Sequence, residues 1–438
     1  MTSLNFLSHP VQPLKGEIQV PGDKSISHRS LILGAIAKGT TTITGFLTGE
    51  DCLRTLLAFQ MMGVDIEGPT DNCVIVHGVG KYGLKAPKMP IDCGNSGTSI
   101  RLLAGLLAAQ SFDSVLTGDE SLQKRPMARV STPLMQMGAK LETHDGCPPI
   151  KIKGGHKLTG IHYPMPIASA QVKSCLLLAG LYAEGDTEII EPGPSRDHTE
   201  RMLKTFSYPI QKSAQGLVIN SASDLIATDI TIPGDISSAA FFIVAATIIP
   251  GSILRILNVG INPTRTGVIE ILTQMGAKIS YYNKRKCGEE DVADLLVEAH
   301  PLVGIHIPES LVPKAIDEFP IIMIAAACAK GKTTITGASE LRAKESDRIQ
   351  AMVTGLNVLG IKAQAFDDGA EIEGGVINGG VVESFSDHRV AMSFAIAGAI
   401  ATKPVLIKNC HNVATSFPSF IATGRRAMLN IEEITDVN

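Results

Sequence analysis

Residues 35–46 read AIAKGTTTITGF and residues 327–338 read ACAKGKTTITGA. Two such similar segments in one chain point to an internal repeat, which is sought before any other feature. The shared grammar is an Ala-rich apolar helix end, a break, and a β-branched strand. It recurs as LLAAQSFDSVLTG (106–118), GLYAEGDTEIIEP (180–192), AATIIPGSILRIL (245–257) and AIATKPVLIKN (399–409). Helix ends marked at Ala37, Ala109, Ala183, Ile249, Ala329 and Ala401 are spaced by 72, 74, 66, 80 and 72 residues. Six units of about 73 residues therefore account for the 438-residue chain.

A second landmark follows the first in four units: QMMGVDIEG (60–68), QMGAKLETHDG (136–146), TQMGAKISYYN (273–283) and NVLGIKAQAF (357–366). Each Gly suits the position just past a helix, and the residues after it alternate as a strand does. A unit thus reads strand, loop, apolar helix, strand, amphipathic helix, strands. The first helices (LLAGLLAA, SCLLLAGLYA, AAFFIVAATII, IIMIAAACA) are apolar all round. Such helices are buried on every side. The expectation is an inside-out α/β arrangement with helices inside a shell of sheet, as one closed body or as two lobes of three units.

Composition narrows the function. Hydrophobic residues make up 44% and charged residues 19%, with a formal charge of −4 from 39 Lys+Arg and 43 Asp+Glu. No global positive field exists to hold nucleic acid or an acidic membrane. Aromatics are only 4% and Trp is absent, which disfavours base-stacking platforms. The longest apolar runs, 319–329 and 390–401, fall short of the ~20 residues that span a bilayer. The start, MTSLNFLSHPVQPLKGE, lacks the charged and apolar regions of a secretory signal. Eight cysteines are scattered without C-x-x-C, against zinc or a disulfide framework. A cytoplasmic protein is expected.

The chemistry gathers in the loop before each apolar helix: PGDKSISHRS (21–30), DCGNSGTSIR (92–101), IASAQVKS (167–174), PGDISSAA (233–240), KAIDEFP (314–320) and FSDHRVAMS (385–393). Ser, Thr and Asp there are explained by capping alone. Lys and Arg are not, because they oppose the helix dipole. Lys24, Arg29, Arg101 and Arg389 are so placed and are candidate ligands for a small polyanion, which helix N-termini also favour. Arg101 fits a structural ion pair equally well. In ASELRAKESDRIQ (338–350), Lys344 and Arg348 are spaced for one helix face beside Glu345; a solvated salt-bridged helix explains them as well. Arg125 precedes Pro126 at a strand-to-helix transition or in a surface loop, and Asp317 is either an N-cap or a desolvated base. AKGKTT fails as a P-loop because Ala326 stands where Gly is required. His28, His198 and His388 lack metal-ligand spacing.

Taken together, GDKSISHRS, GNSGTSIRLL, LTGDESLQKRPM, SAQVKS, RDHTERM, NPTRTG, LRAKESDRI and SDHRVAMS resemble the 5-enolpyruvylshikimate-3-phosphate synthase family, in order, from about residue 15 to residue 425. SAQVK, RDHTE and NPTR resemble its second class. The resemblance implies two lobes, each of three βαβαββ units, in a two-lobed inside-out α/β barrel. Lobe 1 would comprise residues 1–20 and 236–438 and lobe 2 residues 21–235, with the active site in the cleft between them.

The reaction implied transfers the enolpyruvyl group of phosphoenolpyruvate to the 5-hydroxyl of shikimate 3-phosphate, with release of phosphate, through a tetrahedral intermediate. No cofactor and no metal are implied. The resemblance assigns proton transfer to Lys24, Glu345 and Asp317. It assigns shikimate 3-phosphate to Lys24, Ser25, Arg29, Ser169, Gln171, Arg196, Asp317 and Lys344. Phosphoenolpyruvate falls to Lys24, Gly97, Arg125, Gln171, Arg348 and Arg389, with Asn95, Thr98 and His388 further out. Arg196 is expected to replace a Ser of other members, Thr415 stands where many have Lys, and Glu340 where they have Asn. Gly97 leaves room for glyphosate, so a glyphosate-sensitive enzyme acting as a monomer is expected. Two alternatives share features: the enzyme that transfers enolpyruvyl to UDP-N-acetylglucosamine, whose mobile-loop Cys is absent from TGDESLQKRP, and a non-catalytic binder of phosphorylated acids.

Overall fold

In the computed structural model, which describes residues 4–213 and 216–435, the repeat takes physical form as six small sheets. Their strands follow one another in the same order: first, second, fourth, third. The second unit shows the pattern most simply. Ile91–Asp92 pairs in parallel with Ser114–Thr117, which pairs antiparallel with Cys147–Lys153, and Lys140–His144 closes the edge. The parallel pair is joined by the apolar helix Gly97–Leu107, and the amphipathic helix Ala128–Gln136 leads to the hairpin. This is the expected βαβαββ unit.

The chain divides into two compact units. One holds residues 1–21, 233–286 and 290–438; the other holds 22–232 and 287–289. Three sheets belong to each, and three of the six are completed by strands from distant sequence. Ile230–Thr231 supplies the first strand beside Lys38–Thr44, and Lys15–Gln19 supplies it beside Ile253–Gly260. In the last sheet, Leu4–His9 lies between Val405–Lys408 and Asn430–Thr435. The fifth sheet has three strands. Its first strand is reduced to isolated parallel bridges, Val303 to Lys330 and His306 to Thr334. That segment is bracketed by Pro301 and Pro308, which offer no backbone N–H to a ladder.

Helices form the interior of each unit. All residues of Ile236–Ile248 and of Phe319–Ala327 are buried. These two helices and His388–Gly398 pack on one another, as Gly97–Leu107 does on Ala170–Gly180. The latter contact is close: a Cβ at Gly105 would lie 2.1 Å from the Cys175 carbonyl oxygen, so only glycine fits. The four glycines that mark helix ends, Gly63, Gly138, Gly276 and Gly360, all have positive φ, between 83° and 101°. That is the conformation a glycine just past a helix supplies without strain.

Five of the six apolar helices start at a side-chain cap. Asp23 accepts from Ile26 N (2.9 Å), Ser96 from Ser99 N (3.1 Å) and Ser169 from Val172 N (3.4 Å). Asp235 accepts from Ser237 N (2.8 Å) and Asp387 from Arg389 N (2.9 Å). The sixth cap, Glu318, makes no side-chain cap bond. Its carboxylate is turned instead to Ser237 Oγ and to Arg389, 3.5 Å away.

Candidate active site

The unit holding residues 22–232 gathers its candidate residues at three helix starts. Lys24 and Ser25 open the helix Lys24–Ile36, and the Lys24 ammonium pairs with Asp51 of the next helix. Arg29, one turn on, is nearly buried and fixed on every side. Its Nη1 donates to Ser25 O (2.9 Å), its Nε to Thr199 Oγ1 (2.6 Å) and its Nη2 to Ser174 Oγ (2.7 Å). Gly97 is the first residue of the second helix, under two guanidinium groups. A Cβ there would meet Arg101 Nη1 at 2.9 Å and Arg125 Nη1 at 3.2 Å. Arg125 follows a short 3-10 turn and donates to Asn95 Oδ1 (2.8 Å) and Ser121 Oγ (3.3 Å). Gln171 joins the same cluster, accepting from Arg101 Nη1 (2.6 Å) and donating to Thr98 Oγ1 (3.2 Å). Ser169 caps the third helix, and Arg196 lies in the loop before His198–Thr205. Arg101, considered from sequence as an ion pair or an anion ligand, donates to Gln171 beside Gly97.

A chain of hydroxyls ties two of these helix starts together. His28 Nδ1 lies 2.9 Å from Thr55 Oγ1, which lies 2.7 Å from Ser99 Oγ, which donates to the cap Ser96 Oγ at 2.7 Å. The His28 ring is fully buried, and burial, with Lys24 and Arg29 nearby, holds its pKa well below the ordinary value. The environment therefore favours the neutral ring at His28.

The other unit gathers four candidates, Lys344, Glu345, Arg348 and Arg389, about a fifth, the carboxylate of Asp317. Asp317 is not an N-cap, because the cap of Phe319–Ala327 is Glu318. Its Oδ1 lies 3.5 Å from Lys344 Nζ and 3.4 Å from Arg348 Nη1. Arg389 Nη1 donates to the Asp317 carbonyl at 3.0 Å. Arg348 is 1% exposed and spends its three faces on carboxylates: Nε on Asp387 (2.8 Å), Nη2 on Glu345 (2.6 Å), Nη1 on Asp317. Burial alone would lower the arginine's pKa; Asp387, Glu345 and Asp317 outweigh it and the net direction is upward. For Asp387, burial is the largest influence and pushes upward, as does Glu345, but the charge and hydrogen bond of Arg348 together with His388 leave a lowered pKa.

The sequence placed Lys344 and Arg348 on one helix face, and this is corrected. Ser339–Ala343 is a 3-10 turn, Lys344 is extended (φ −90°, ψ −152°), and a new helix begins at Arg348. The cause is Asp347, whose side chain caps that helix by accepting from Gln350 N at 3.0 Å. The two cations nevertheless meet at Asp317. Glu340 also reaches Lys344, at 3.3 Å. Thr415 is buried and donates to Asn412 O at 2.7 Å, closing its own turn.

Sequence reading missed three partners. Asp51 carries no signal beyond an acidic helix start. Asp387 is visible as a cap and Glu318 is not, since Asp317 stood as the cap candidate there; the arginines of both are remote in sequence.

Comparison with known proteins gives the family. The family described as EPSP synthase (3-phosphoshikimate 1-carboxyvinyltransferase) matches residues 8–423. A 3-phosphoshikimate 1-carboxyvinyltransferase of Legionella pneumophila (strain Philadelphia 1) is 68% identical over 430 residues, covering 98% of this chain and 99% of the relative. One from Methylococcus capsulatus is 58% identical, covering 98% of each. The EPSP synthase of Acinetobacter baumannii superposes with a TM-score of 0.89 at 52% identity, over 99% of this chain and 100% of that one. The enolpyruvyl transferase NikO from Streptomyces tendae superposes at 0.82 with 17% identity, over 100% of both chains, a likeness of fold alone. The chain belongs to the EPSP synthase (3-phosphoshikimate 1-carboxyvinyltransferase) family.

Proposed function

We propose that the two groups of residues serve one reaction, the transfer of the enolpyruvyl group of phosphoenolpyruvate to the 5-hydroxyl of shikimate 3-phosphate. Family membership over nearly the whole chain supports the activity. The observation that carries the chemistry is Asp317, an ionisable oxygen set between Lys344 and Arg348 beside a buried helix start. A pure anion binder gains nothing from a carboxylate there, whereas a proton acceptor for a hydroxyl needs one.

In the first step the 5-hydroxyl oxygen bonds to carbon 2 of phosphoenolpyruvate as carbon 3 takes a proton, and Asp317 accepts the hydroxyl proton. In the second, carbon 3 returns a proton and the bond from carbon 2 to the phosphate oxygen breaks, restoring the alkene and releasing phosphate. Lys24 and Glu345 are the proposed partners in proton transfer at carbon 3. Ser25 and Arg29 would hold the shikimate carboxylate, Ser169, Gln171 and Arg196 its phosphate and ring, and Lys344 its hydroxyl side. Gly97, Arg125, Gln171, Arg348 and Arg389, with Lys24, would hold phosphoenolpyruvate. Two multiply charged anions repel each other, so fixed cations and helix N-termini supply what the encounter lacks.

The same reading makes the enzyme a cytoplasmic monomer and glyphosate its inhibitor. Among the described residues no helix is long and apolar enough to cross a membrane. Acceptor choice tests the reading. Phosphoenolpyruvate should be consumed with shikimate 3-phosphate and not with UDP-N-acetylglucosamine; the reverse preference would overturn it.

A further inference from the structure

The helix Ala170–Gly180, which opens with Ser169 and Gln171, also carries a lysine that the roles above leave unused. Lys173 is 1% exposed, and its ammonium lies 2.9 Å from Glu191 Oε2 and 2.6 Å from Glu200 Oε1. Glu191 directly follows the strand Thr187–Ile190, and Glu200 lies in the helix His198–Thr205. The two carboxylates therefore flank the loop that carries Arg196. Within that loop Ser195 Oγ donates back to Glu191 Oε1. One residue along both helices is a second cross-link, with Ser174 Oγ and Thr199 Oγ1 2.7 Å apart. These are the two hydroxyls on which Arg29 rests.

A buried ammonium between carboxylates is costly to desolvate, and an apolar side chain would fill the space at less cost. Glu200 bears the strain of this burial. Desolvation pushes its pKa upward against the pull of Lys173, and its Oε2 has no hydrogen-bond partner among the described residues. What the charges supply is register. They fix the helix bearing Ser169 and Gln171 against the helix bearing Thr199, and they pin both ends of the Arg196 loop. An apolar contact is non-directional and would leave that register free.

We infer that Lys173 is a positioning residue for shikimate 3-phosphate. It ties Glu191 to Glu200 so that the groups proposed for the carboxylate (Ser25, Arg29) and for the phosphate (Ser169, Arg196) stand at a fixed separation. The inference rests on the functional reading above. Of the groups proposed for phosphoenolpyruvate only Gln171 lies on the tied helix, while Gly97, Arg125, Lys24, Arg348 and Arg389 lie on other elements, so that substrate feels the tie much less.

The test compares Lys173→Met, Lys173→Arg and Ser195→Ala with wild type by steady-state kinetics and by direct titration with shikimate 3-phosphate. Lys173→Met should raise the KM and Kd for shikimate 3-phosphate by about tenfold or more, the scale of a lost charged hydrogen bond. The KM for phosphoenolpyruvate at saturating shikimate 3-phosphate should stay within about twofold. Lys173→Arg should recover most of the loss. Ser195→Ala removes only the loop's link to Glu191, so it should shift the same constant by a smaller factor with an unchanged melting temperature. That variant decides the matter if Lys173→Met does not fold. Unchanged shikimate 3-phosphate constants in a folded variant would overturn the inference, as would an equal rise for both substrates. If wild type turns over no shikimate 3-phosphate at all, the functional reading fails, and the inference with it.

Discussion

The Lys344 ammonium stands 3.5 Å from the Oδ1 of Asp317, an oxygen that also faces Arg348 at 3.4 Å. Two cations thus converge on the one carboxylate oxygen proposed to accept the hydroxyl proton. Replacing Lys344 by Met removes one of them and a donor for the substrate's hydroxyl side. We expect the KM for shikimate 3-phosphate to rise by about tenfold or more. The KM for phosphoenolpyruvate, measured in the same assays, should move far less.

Arg348 makes a different prediction because it is fully enclosed. Removing it leaves Asp387, buried with 0% exposure, together with Glu345 and Asp317, without their shared counter-charge. Breaking a buried pair from one side costs about 3–5 kcal/mol. Arg348→Met should therefore lower the urea midpoint of unfolding substantially as well as abolish activity. Arg348→Lys keeps the charge, loses the fork geometry, and should fall between.

At Gly97 the atoms that crowd a new methyl are the far ends of Arg101 and Arg125, at 2.9 and 3.2 Å. Flexible side chains can yield, so Gly97→Ala should fold normally while shifting the Arg125 guanidinium. The KM for phosphoenolpyruvate should rise severalfold. Glyphosate has one more atom between carboxylate and phosphorus than phosphoenolpyruvate has, so it should lose more. Wild type should be inhibited competitively with phosphoenolpyruvate, and Gly97→Ala should need far more glyphosate for the same effect.

His28 sets a pH dependence of stability. Its pKa is lowered by folding, so the unfolded chain binds the extra proton first. Stability should then fall as pH drops below the ordinary value of 6.5, at up to about 1.4 kcal/mol per pH unit, until the folded-state pKa is reached. Melting temperatures between pH 7 and 5 should decline more steeply for wild type than for His28→Gln.

The parts of the fold that sequence disclosed are those encoded locally. The caps Asp23, Ser96, Asp235 and Asp387, the apolar faces behind them, and Gly63, Gly138, Gly276 and Gly360 each act within a few residues of their position. The pairing of Leu4–His9 with Asn430–Thr435 is invisible to such reading, because it joins the two ends of the chain. The candidate site divides in the same way. Lys24, Arg29 and Arg389 were legible as cations misplaced for capping. The Lys24–Asp51, Arg348–Asp387 and Arg389–Glu318 pairs were not, because only the fold brings them together. Lys344 and Arg348 were misread as helix neighbours because spacing alone does not reveal that Asp347 starts a new helix between them.

The central claim is that this chain releases phosphate from phosphoenolpyruvate only by way of the shikimate 3-phosphate hydroxyl, with Asp317 taking its proton. The most direct measurement is phosphate release from phosphoenolpyruvate with and without shikimate 3-phosphate, in wild type and Asp317→Ala. Wild type should release phosphate only when shikimate 3-phosphate is present. Asp317→Ala should bind both substrates and turn over at least about a hundredfold more slowly. Release that ignores shikimate 3-phosphate, or that persists undiminished without Asp317, would contradict the account.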